Sequence, residues 1–209
     1  PISRMVSLHG SYVAIHEDRT ISIWGYYYQK AGDDTLIAQL SDVEHVFATL
    51  YAYAALTGSG NVITWGHSSS GGTPSAAERA KLDEGGIVNI WTTIYAMCGL
   101  NTRNQIISWG RVVHKVSGVS TSYPIQTPAS LTSGTGPKII TVTTSRDAFA
   151  ALNVDGVVTA WPSNALYGGS TTAHAASTFT NMYVLFGDET WQGNSLSNRF
   201  NYRCPAGQE

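Results

Sequence analysis

The chain has 209 residues, of which 43% are hydrophobic, 11% aromatic and only 12% charged. The charged share is about half of the roughly 25% that is usual in a globular domain, yet aromatic and β-branched residues are too plentiful for a disordered chain. A net charge of −2 without a Lys/Arg cluster excludes nucleic-acid binding through a basic stripe and a polybasic membrane anchor. No apolar run reaches the roughly 18–20 residues of a transmembrane helix, so membrane insertion is not expected.

An internal repeat organises the chain. Four segments align without gaps, each beginning with a large apolar residue and reaching a Trp twelve residues later: Tyr12 to Trp24, Tyr53 to Trp65, Met97 to Trp109 and Phe149 to Trp161. A β-branched residue stands ten positions before each segment, at Ile2, Val43, Ile87 and Ile139. The repeats therefore run over about 2–42, 43–86, 87–138 and 139–178. A weaker fifth copy covers 179–202, and a tail covers 203–209.

Each repeat is predicted to be a unit of short antiparallel strands. In the second repeat, apolar runs at 43–50 and 52–56 precede a turn at 58–61 and a return strand at 62–65. Asp155-Gly156 provides the turn in the fourth repeat, and Asp18-Arg19 and Arg103-Asn104 provide looser versions. The variable stretches after each Trp are expected to be surface loops. Within them only 75–82 is predicted to be helical, because Ser75 and Glu78 form a capping box.

A period of 40–52 residues with a few short strands per unit is typical of a β-propeller blade. The stretch Phe149-Ala-Ala-Leu-x-x-Asp-Gly-Val-Val-x-x-Trp161 resembles the regulator-of-chromosome-condensation repeat family, in particular divergent members such as the β-lactamase-inhibitor propellers. The Gly-x-Asn-x-x-Gly-Gln-Leu-Gly stretch that nuclear members carry is absent, and Pro162 replaces the Gly that follows the other three repeat Trp residues. The resemblance implies an all-β propeller but not guanine-nucleotide exchange.

The number of repeats leaves two interpretations open. Members of the resembled family usually have seven blades. This chain supplies only four clear copies and a degenerate fifth. Either the chain is an excerpt of a larger protein, which its start at Pro1 favours, or 179–202 closes a five-blade ring. A partial propeller leaves sheet faces and edges that other protein must cover, and further domains of the same polypeptide or other chains are therefore the expected partners.

The titratable residues predict neither a metal site nor catalysis. The six His residues show no His-x-x-x-His or His-Glu-x-x-His spacing. The stretch 66–71 lacks the spacing of a nucleophile elbow, and 134–138 leads into a strand rather than the helix of a phosphate-binding loop. No cofactor is expected, and the chain is not expected to be an enzyme.

Two groups of aromatic residues have different interpretations. Trp24, Trp65, Trp109 and Trp161 keep a strict register, which favours core packing between blades over sugar-stacking platforms. Tyr26, Tyr27 and Tyr28 lie in a variable loop, where packing does not require three aromatic side chains. This tyrosine cluster is a candidate binding site for a protein or a glycan, and packing of the loop against the next blade is the alternative.

The two cysteines differ in position. Cys98 occupies a repeat position that Val13, Ala54 and Ala150 also hold, which predicts a small, buried, free thiol. Cys204 lies in the tail, where Cys-Pro-x-Gly resembles the opening of small cysteine-rich extracellular modules. That resemblance implies a disulfide between Cys204 and a cysteine outside the chain, and it favours an extracellular or cell-surface location.

The sequence thus predicts a non-catalytic propeller scaffold that takes part in protein interactions, within a larger extracellular or surface assembly. A small lectin-like propeller that binds carbohydrate is the alternative. A lectin of this kind would carry equivalent polar and aromatic loop residues in each blade, yet the loops here differ in length and composition.

Overall fold

A computed structural model describes residues 1–8, 10–25, 36, 40–116 and 119–162. These residues form four antiparallel sheets. Sheet 1 contains β1 (Ile2–Leu8), β2 (Ser11–His16) and β3 (Ile21–Gly25), and sheet 2 contains β4 (Val43–Ala48), β5 (Ala52–Thr57) and β6 (Val62–Gly66). Sheet 3 contains β7 (Ile87–Thr92), β8 (Ala96–Asn101), β9 (Ile106–Val116) and β10 (Val119–Pro124), and sheet 4 contains β11 (Ile139–Thr144), β12 (Phe149–Asn153) and β13 (Val158–Trp161).

The predicted all-β fold of short antiparallel strands is confirmed, and each of the four clear repeats supplies one sheet. The degenerate fifth repeat at 179–202 and the tail at 203–209 lie outside the described residues. The predicted helix is also confirmed as α1 (Ala76–Asp83). The Ser75 hydroxyl accepts the Glu78 N–H, and the Glu78 carboxylate accepts the Ser75 N–H at 2.6 Å, which completes the capping box.

The prediction of a loop after Trp109 is wrong over much of the length of that stretch. Strand β9 continues through this Trp to Val116, and β10 pairs with it antiparallel from Val119 to Pro124. The stretch 112–123 contains four Val, one Thr and one Tyr, and β-branched and aromatic residues favour extended backbone. A short helix, α2 (Ala129–Thr132), follows. A 3₁₀ turn at Ser68–Ser70 also lies in a stretch that was expected to be a loop.

The first strand of every sheet is interrupted at the same place. The pairing register shifts between Ile2 and Arg4, between Val43 and His45, between Ile87 and Asn89, and between Ile139 and Thr141. Each shift marks a β-bulge that inserts one extra residue. The inserted residues are all exposed: Ser3, Glu44, Val88 and Ile140. The four repeats therefore share the same irregularity of the backbone as well as the same residue pattern.

Each sheet has two distinct faces. We call the leading face the side that carries the first residue of the repeat segment and the repeat Trp; in sheet 2 these are Tyr53 and Trp65, directly paired across β5 and β6. The opposite, trailing face carries small and aliphatic side chains; in sheet 2 the pair Leu56 and Val62 lies there. Successive side chains of a strand alternate between the two faces.

The sheets pack face to face in chain order, with a trailing face always against the next leading face. One apolar cluster joins Val13 and Ile15 of sheet 1 to Tyr53 and Trp65 of sheet 2. A second joins the trailing face of sheet 2 to Met97 and Trp109 of sheet 3. A third joins the trailing face of sheet 3 to Phe149 and Trp161 of sheet 4. The small residues Ala54 and Cys98, both fully buried, allow the backbones to approach and leave room for the facing aromatic and Met side chains.

A left-handed residue closes the hairpin between the second and third strands of each sheet. The four are Arg19 (φ 63°), Gly60 (φ 79°), Asn104 (φ 64°) and Gly156 (φ 77°). The first residue of the following sheet bonds to this position: the Val43 N–H to the Arg19 carbonyl at 2.9 Å, and the Ile87 N–H to the Gly60 carbonyl at 3.0 Å. At the third junction the Ile139 N–H bonds to the Asn104 side-chain oxygen at 2.7 Å. The turns predicted around Asp18-Arg19, Gly58–Asn61 and Arg103-Asn104 thus also fix the register between neighbouring sheets, and Asp155-Gly156 closes the corresponding hairpin of sheet 4.

Candidate contact surface

Several of the predicted site residues fall outside the described part of the chain: the tyrosine cluster Tyr26, Tyr27 and Tyr28, and Cys204 of the tail. Cys98 is buried and forms no disulfide, as predicted. Burial raises the pKa of its thiol well above the ordinary value, although a hydrogen bond with the Trp91 backbone opposes the shift. Cys98 is therefore an inert core residue rather than a reactive thiol.

The repeat Trp residues fall into two groups. Trp65, Trp109 and Trp161 are buried, and the first and last stack on the partner across the strands, Tyr53 and Phe149, with ring centroids 5.3 Å apart. The indole N–H of Trp109 donates to the Gly71 carbonyl at 3.1 Å, and that of Trp161 donates to the Ser108 hydroxyl at 3.0 Å.

Trp24 departs from the expectation of a buried core Trp. It is 42% exposed and stacks on Tyr12, which is 46% exposed, at 5.7 Å between ring centroids. The reason is topological, because no described sheet packs against the leading face of sheet 1. Like its equivalents, Trp24 pairs across the strands with the first residue of its repeat segment, here Tyr12. Unlike them, it is not covered by a described neighbouring sheet.

A recurring turn joins the first and second strands of sheets 2, 3 and 4. In sheet 2 the Thr49 hydroxyl accepts the Ala52 N–H at 3.1 Å, and the Thr49 N–H donates to the Ala52 carbonyl at 2.9 Å. Thr93 and Ala96 make the same pair of bonds in sheet 3, and Ser145 and Ala148 make them in sheet 4. Such hydroxyl-to-backbone bonds stabilise a tight turn without glycine.

These turns lie side by side and form one surface, which we call the turn row: residues 49–52, 93–96 and 145–148. The Leu50 N–H donates to the Ile94 carbonyl at 2.8 Å, and the Ile94 N–H donates to the Arg146 carbonyl at 3.1 Å. The two residues at each turn tip are Leu50-Tyr51, Ile94-Tyr95 and Arg146-Asp147. In the first two turns both tip residues are half-buried, and Arg146 is exposed.

The turn row presents an aromatic patch. The rings of Tyr51 and Tyr95 lie 6.4 Å apart, and the His67 ring lies 6.3 Å from Tyr51. Tyrosine and arginine on a backbone held by hydrogen bonds are the residue types enriched in protein interfaces. Sequence reasoning missed this patch because the gap-free segments compared between repeats begin at Tyr53 and Met97, directly after the turns. The nearly identical stretches Thr49-Leu-Tyr-Ala52 and Thr93-Ile-Tyr-Ala96 were the available signal.

The glycine after the repeat Trp allows the third strand to pass close to the turn row. Gly66 has φ 105°, and a Cβ at this position would lie 2.6 Å from the Tyr51 carbonyl oxygen and 2.7 Å from the Ala52 Cα. Gly110 would meet the Tyr95 carbonyl oxygen at 2.6 Å in the same way. The Trp-Gly pattern is therefore required by the close approach of β6 and β9 to these turns.

At the opposite ends of the sheets, two arginines of sheet 1 contact side chains at the start of sheet 2. Arg19 pairs with Asp42 and, at 3.3 Å, with Glu44. Arg4 donates to Nδ1 of His45. Burial, together with the positive charge of Arg4, lowers the pKa of His45, so its imidazole is neutral at pH 7 and accepts this bond. These contacts link sheets 1 and 2 and do not form an acid–base pair.

Metal ligation and small-molecule binding find little support in the described ranges. They contain no group of three or more His, Cys, Asp or Glu residues that could hold a metal ion. A cleft between sheets 3 and 4, lined by Asn104, Pro137 and Val157 among others, has a volume of about 100 Å³. This volume is well below the roughly 300–1,000 Å³ of small-molecule sites.

Within the part of the chain that the structure describes, no helix has the length and apolar character needed to cross a membrane. No protein-family model and no curated protein matches the chain. Its resemblance to known proteins is therefore found in the fold alone.

Solved structures do match. Prp20p from Saccharomyces cerevisiae, described together with its binding properties to Gsp1p and histones, is 14% identical with a TM-score of 0.50; the match covers 77% of this chain and 45% of Prp20p. The CRINKLY WD40 ectodomain of the Arabidopsis thaliana receptor kinase ACR4 is 13% identical with a TM-score of 0.51, over 80% of this chain and 51% of that one. The chain thus spans about half the length of these proteins, and its described residues have the β-propeller fold.

Proposed function

We propose that the chain is a non-catalytic propeller scaffold that binds other proteins through the turn row. The observation that carries the proposal is the division of surfaces. Between sheets 1 and 4 the strand faces are consumed by packing, whereas the turn tips keep Leu50, Tyr51, Ile94 and Tyr95 half-exposed. A rigid framework with apolar and aromatic residues at its tips is suited to macromolecular contact.

The comparison with Prp20p supports this proposal at the level of the fold, since that propeller is described with binding properties to Gsp1p and histones. Those partners are not transferred to this chain. A divergent relation to the regulator-of-chromosome-condensation repeats remains part of the proposal, as do an extracellular or cell-surface location and a place in a larger assembly. The weakly charged composition and the Cys-Pro-x-Gly stretch of the tail support the location.

The test is site-specific cross-linking on the full chain. A photoreactive residue replaces Tyr51 in one variant and, as a control, Val154, a 55% exposed residue away from the turn row. Cross-linked proteins are identified, purified and titrated against the chain. We expect Tyr51→Ser and Tyr95→Ser to weaken binding of a true partner at least about tenfold, as for central aromatic residues of an interface, while Val154→Ser leaves it unchanged.

Carbohydrate binding is the alternative outcome, and a glycan array distinguishes it. Saccharide binding that Tyr51→Ser or Tyr95→Ser abolishes would replace the protein scaffold with a lectin. Partners that cross-link equally from positions 51 and 154 would contradict the proposed surface. Each variant is accompanied by an unfolding curve, so that loss of binding is separated from loss of the fold.

A further inference from the structure

The leading face of sheet 1 is an exposed copy of a surface that is buried everywhere else in the described repeats. Its four large apolar residues are Ile2 at 53% exposure, Met5 at 49%, Tyr12 at 46% and Trp24 at 42%. The equivalent residues are all buried, between 0% and 6% exposed: Val43, Val46, Tyr53 and Trp65 in sheet 2; Ile87, Ile90, Met97 and Trp109 in sheet 3; Ile139, Val142, Phe149 and Trp161 in sheet 4. Four contiguous exposed apolar side chains indicate an interaction surface.

The three internal junctions define what fits this surface. In each of them the partner is a trailing face made of two cross-strand pairs of small and aliphatic residues. In sheet 1 these pairs are Val13 with Ile23 and Ile15 with Ile21, and in sheet 2 they are Ala54 with Thr64 and Leu56 with Val62. An aromatic leading face therefore accepts a β-sheet with side chains of this size, rather than a helix or an extended peptide.

Sheet 4 carries such a trailing face at the other end of the described row. Its pairs are Ala150 with Ala160 and Leu152 with Val158, which matches sheet 2 except that Ala160 replaces Thr. Two residues of this face are less covered than their equivalents, whereas Leu152 is 8% exposed. Ala150 and Val158 are half-buried, whereas Ala54 and Val62 are 0% and 4% exposed. One chain thus presents both halves of the junction that it uses three times internally.

We propose that the leading face of sheet 1 binds the trailing face of sheet 4 in a second copy of the chain. Such a contact is heterologous, and it gives a closed ring when the rotation between copies closes. The chain covers 45% and 51% of the two propellers to which it is similar, so two copies supply about as much sheet as one of those chains. The proposal is independent of the turn row, which lies at the ends of the sheets rather than on their faces.

The experiment measures the mass of the full chain in solution over a range of concentrations by light scattering and sedimentation. We expect the wild type to form a dimer at high concentration. Met5→Asp blocks the leading face, and Ala150→Asp blocks the trailing face; each alone is expected to be monomeric. Val88→Asp changes an apolar residue with 53% exposure at the bulge of β7, outside the proposed contact, and is expected to behave as wild type.

Mixing the two blocked variants gives the decisive result. A heterodimer of Met5→Asp and Ala150→Asp chains has one junction with both faces intact, so association returns in the mixture. This rescue also demonstrates that both variants are folded. A wild type that stays monomeric at every concentration overturns the proposal, and so does an Ala150→Asp variant that still dimerises.

The alternative occupant is a further blade of the same polypeptide. It is tested by joining a copy of residues 43–86 in front of Ile2. A monomeric wild type whose fused form is more stable would assign the face to such a blade and reject the second copy. Neither outcome affects binding of other proteins at the turn row, so failure here is distinguishable from failure of the proposed function.

Discussion

At the scale of single residues, the hairpin position held by Arg19, Gly60, Asn104 and Gly156 shows that one backbone conformation can be met by different side chains. Glycine adopts the left-handed region at no steric cost. Asn104 adopts it as well and adds three hydrogen bonds to the start of the next sheet: to the Ile139 N–H and to the carbonyls of Gly136 and Pro137. Asn104 therefore connects sheets 3 and 4 through its side chain, whereas Gly60 connects sheets 2 and 3 through its backbone carbonyl.

Two substitutions at Asn104 separate its conformation from its bonds. Asn104→Gly keeps the left-handed turn and loses the side-chain bonds, so we expect the free energy of unfolding to fall by about 1–2 kcal/mol. Asn104→Ala adds the cost of a Cβ in this region and is expected to lose about 1 kcal/mol more. Urea unfolding measures both. A glycine variant as stable as wild type would show that the bonds contribute nothing.

A hydrogen bond between the hydroxyl groups of Ser11 and Tyr53 also joins sheets 1 and 2. The two hydroxyl oxygens lie 2.7 Å apart within the core. Burial raises the pKa of Tyr53 to about 12. The native state therefore keeps its phenol proton between pH 10 and about 12, while the unfolded chain loses it. Stability contributed by the neutral phenol is present below pH 10 and is lost as the pH rises toward 12.

Tyr53→Phe tests this linkage. The free energy of unfolding of wild type should fall relative to that of the variant above pH 10, by up to about 1.4 kcal/mol per pH unit. Other ionising groups are common to both proteins and cancel in the difference. At neutral pH the variant should be less stable by about 1 kcal/mol, because the buried Ser11 hydroxyl loses its partner. Parallel curves for the two proteins would refute the shifted ionisation.

At the scale of elements, the sequence predicts where strands form, but it does not predict what packs against them. Alternating and β-branched runs predict β4 to β6 because local preference and burial agree there. The same register predicts a buried Trp24 and fails, since a position in a repeat specifies a residue type but not whether a neighbouring sheet covers it. The turn row was missed for a related reason: the matching stretches 49–52 and 93–96 indicate a recurring turn, but hydrogen bonds between different repeats bring Tyr51 and Tyr95 together.

The junction between the third strand and the turn row can be tested with two glycines that both have a positive φ. Gly66→Ala brings a Cβ within 2.7 Å of two backbone atoms, whereas Gly85→Ala, also at positive φ (70°), meets only the Asn61 side-chain oxygen at 3.2 Å. We expect Gly85→Ala to cost about 1 kcal/mol from backbone strain and Gly66→Ala at least about 3 kcal/mol. Thermal or urea unfolding of both variants measures the difference. Equal losses would mean that the steric contact relaxes.

At the scale of the whole molecule, contacts run between neighbours along a row of sheets, so stability should vary along the row. Among the described residues, sheet 1 is packed on its trailing face only, while sheet 3 is packed on both. We expect hydrogen exchange in dilute solution to be at least about tenfold faster for the hydrogen-bonded amides of β2 than for those of β8. The difference in exchange rate between β2 and β8 should become smaller as the chain concentration rises, because a second copy covers sheet 1. Uniform protection would indicate a single cooperative unit.

The bulge in the first strand of each sheet has a consequence for how such a chain can change. Ser3, Glu44, Val88 and Ile140 occupy one structural position, yet they include a hydroxyl, a carboxylate and two hydrocarbons. A residue inserted at a bulge belongs to neither packed face, so its substitution costs little stability. The repeat thus provides one position per unit whose polarity can be altered independently of the core, and a new surface chemistry can arise there without a new fold.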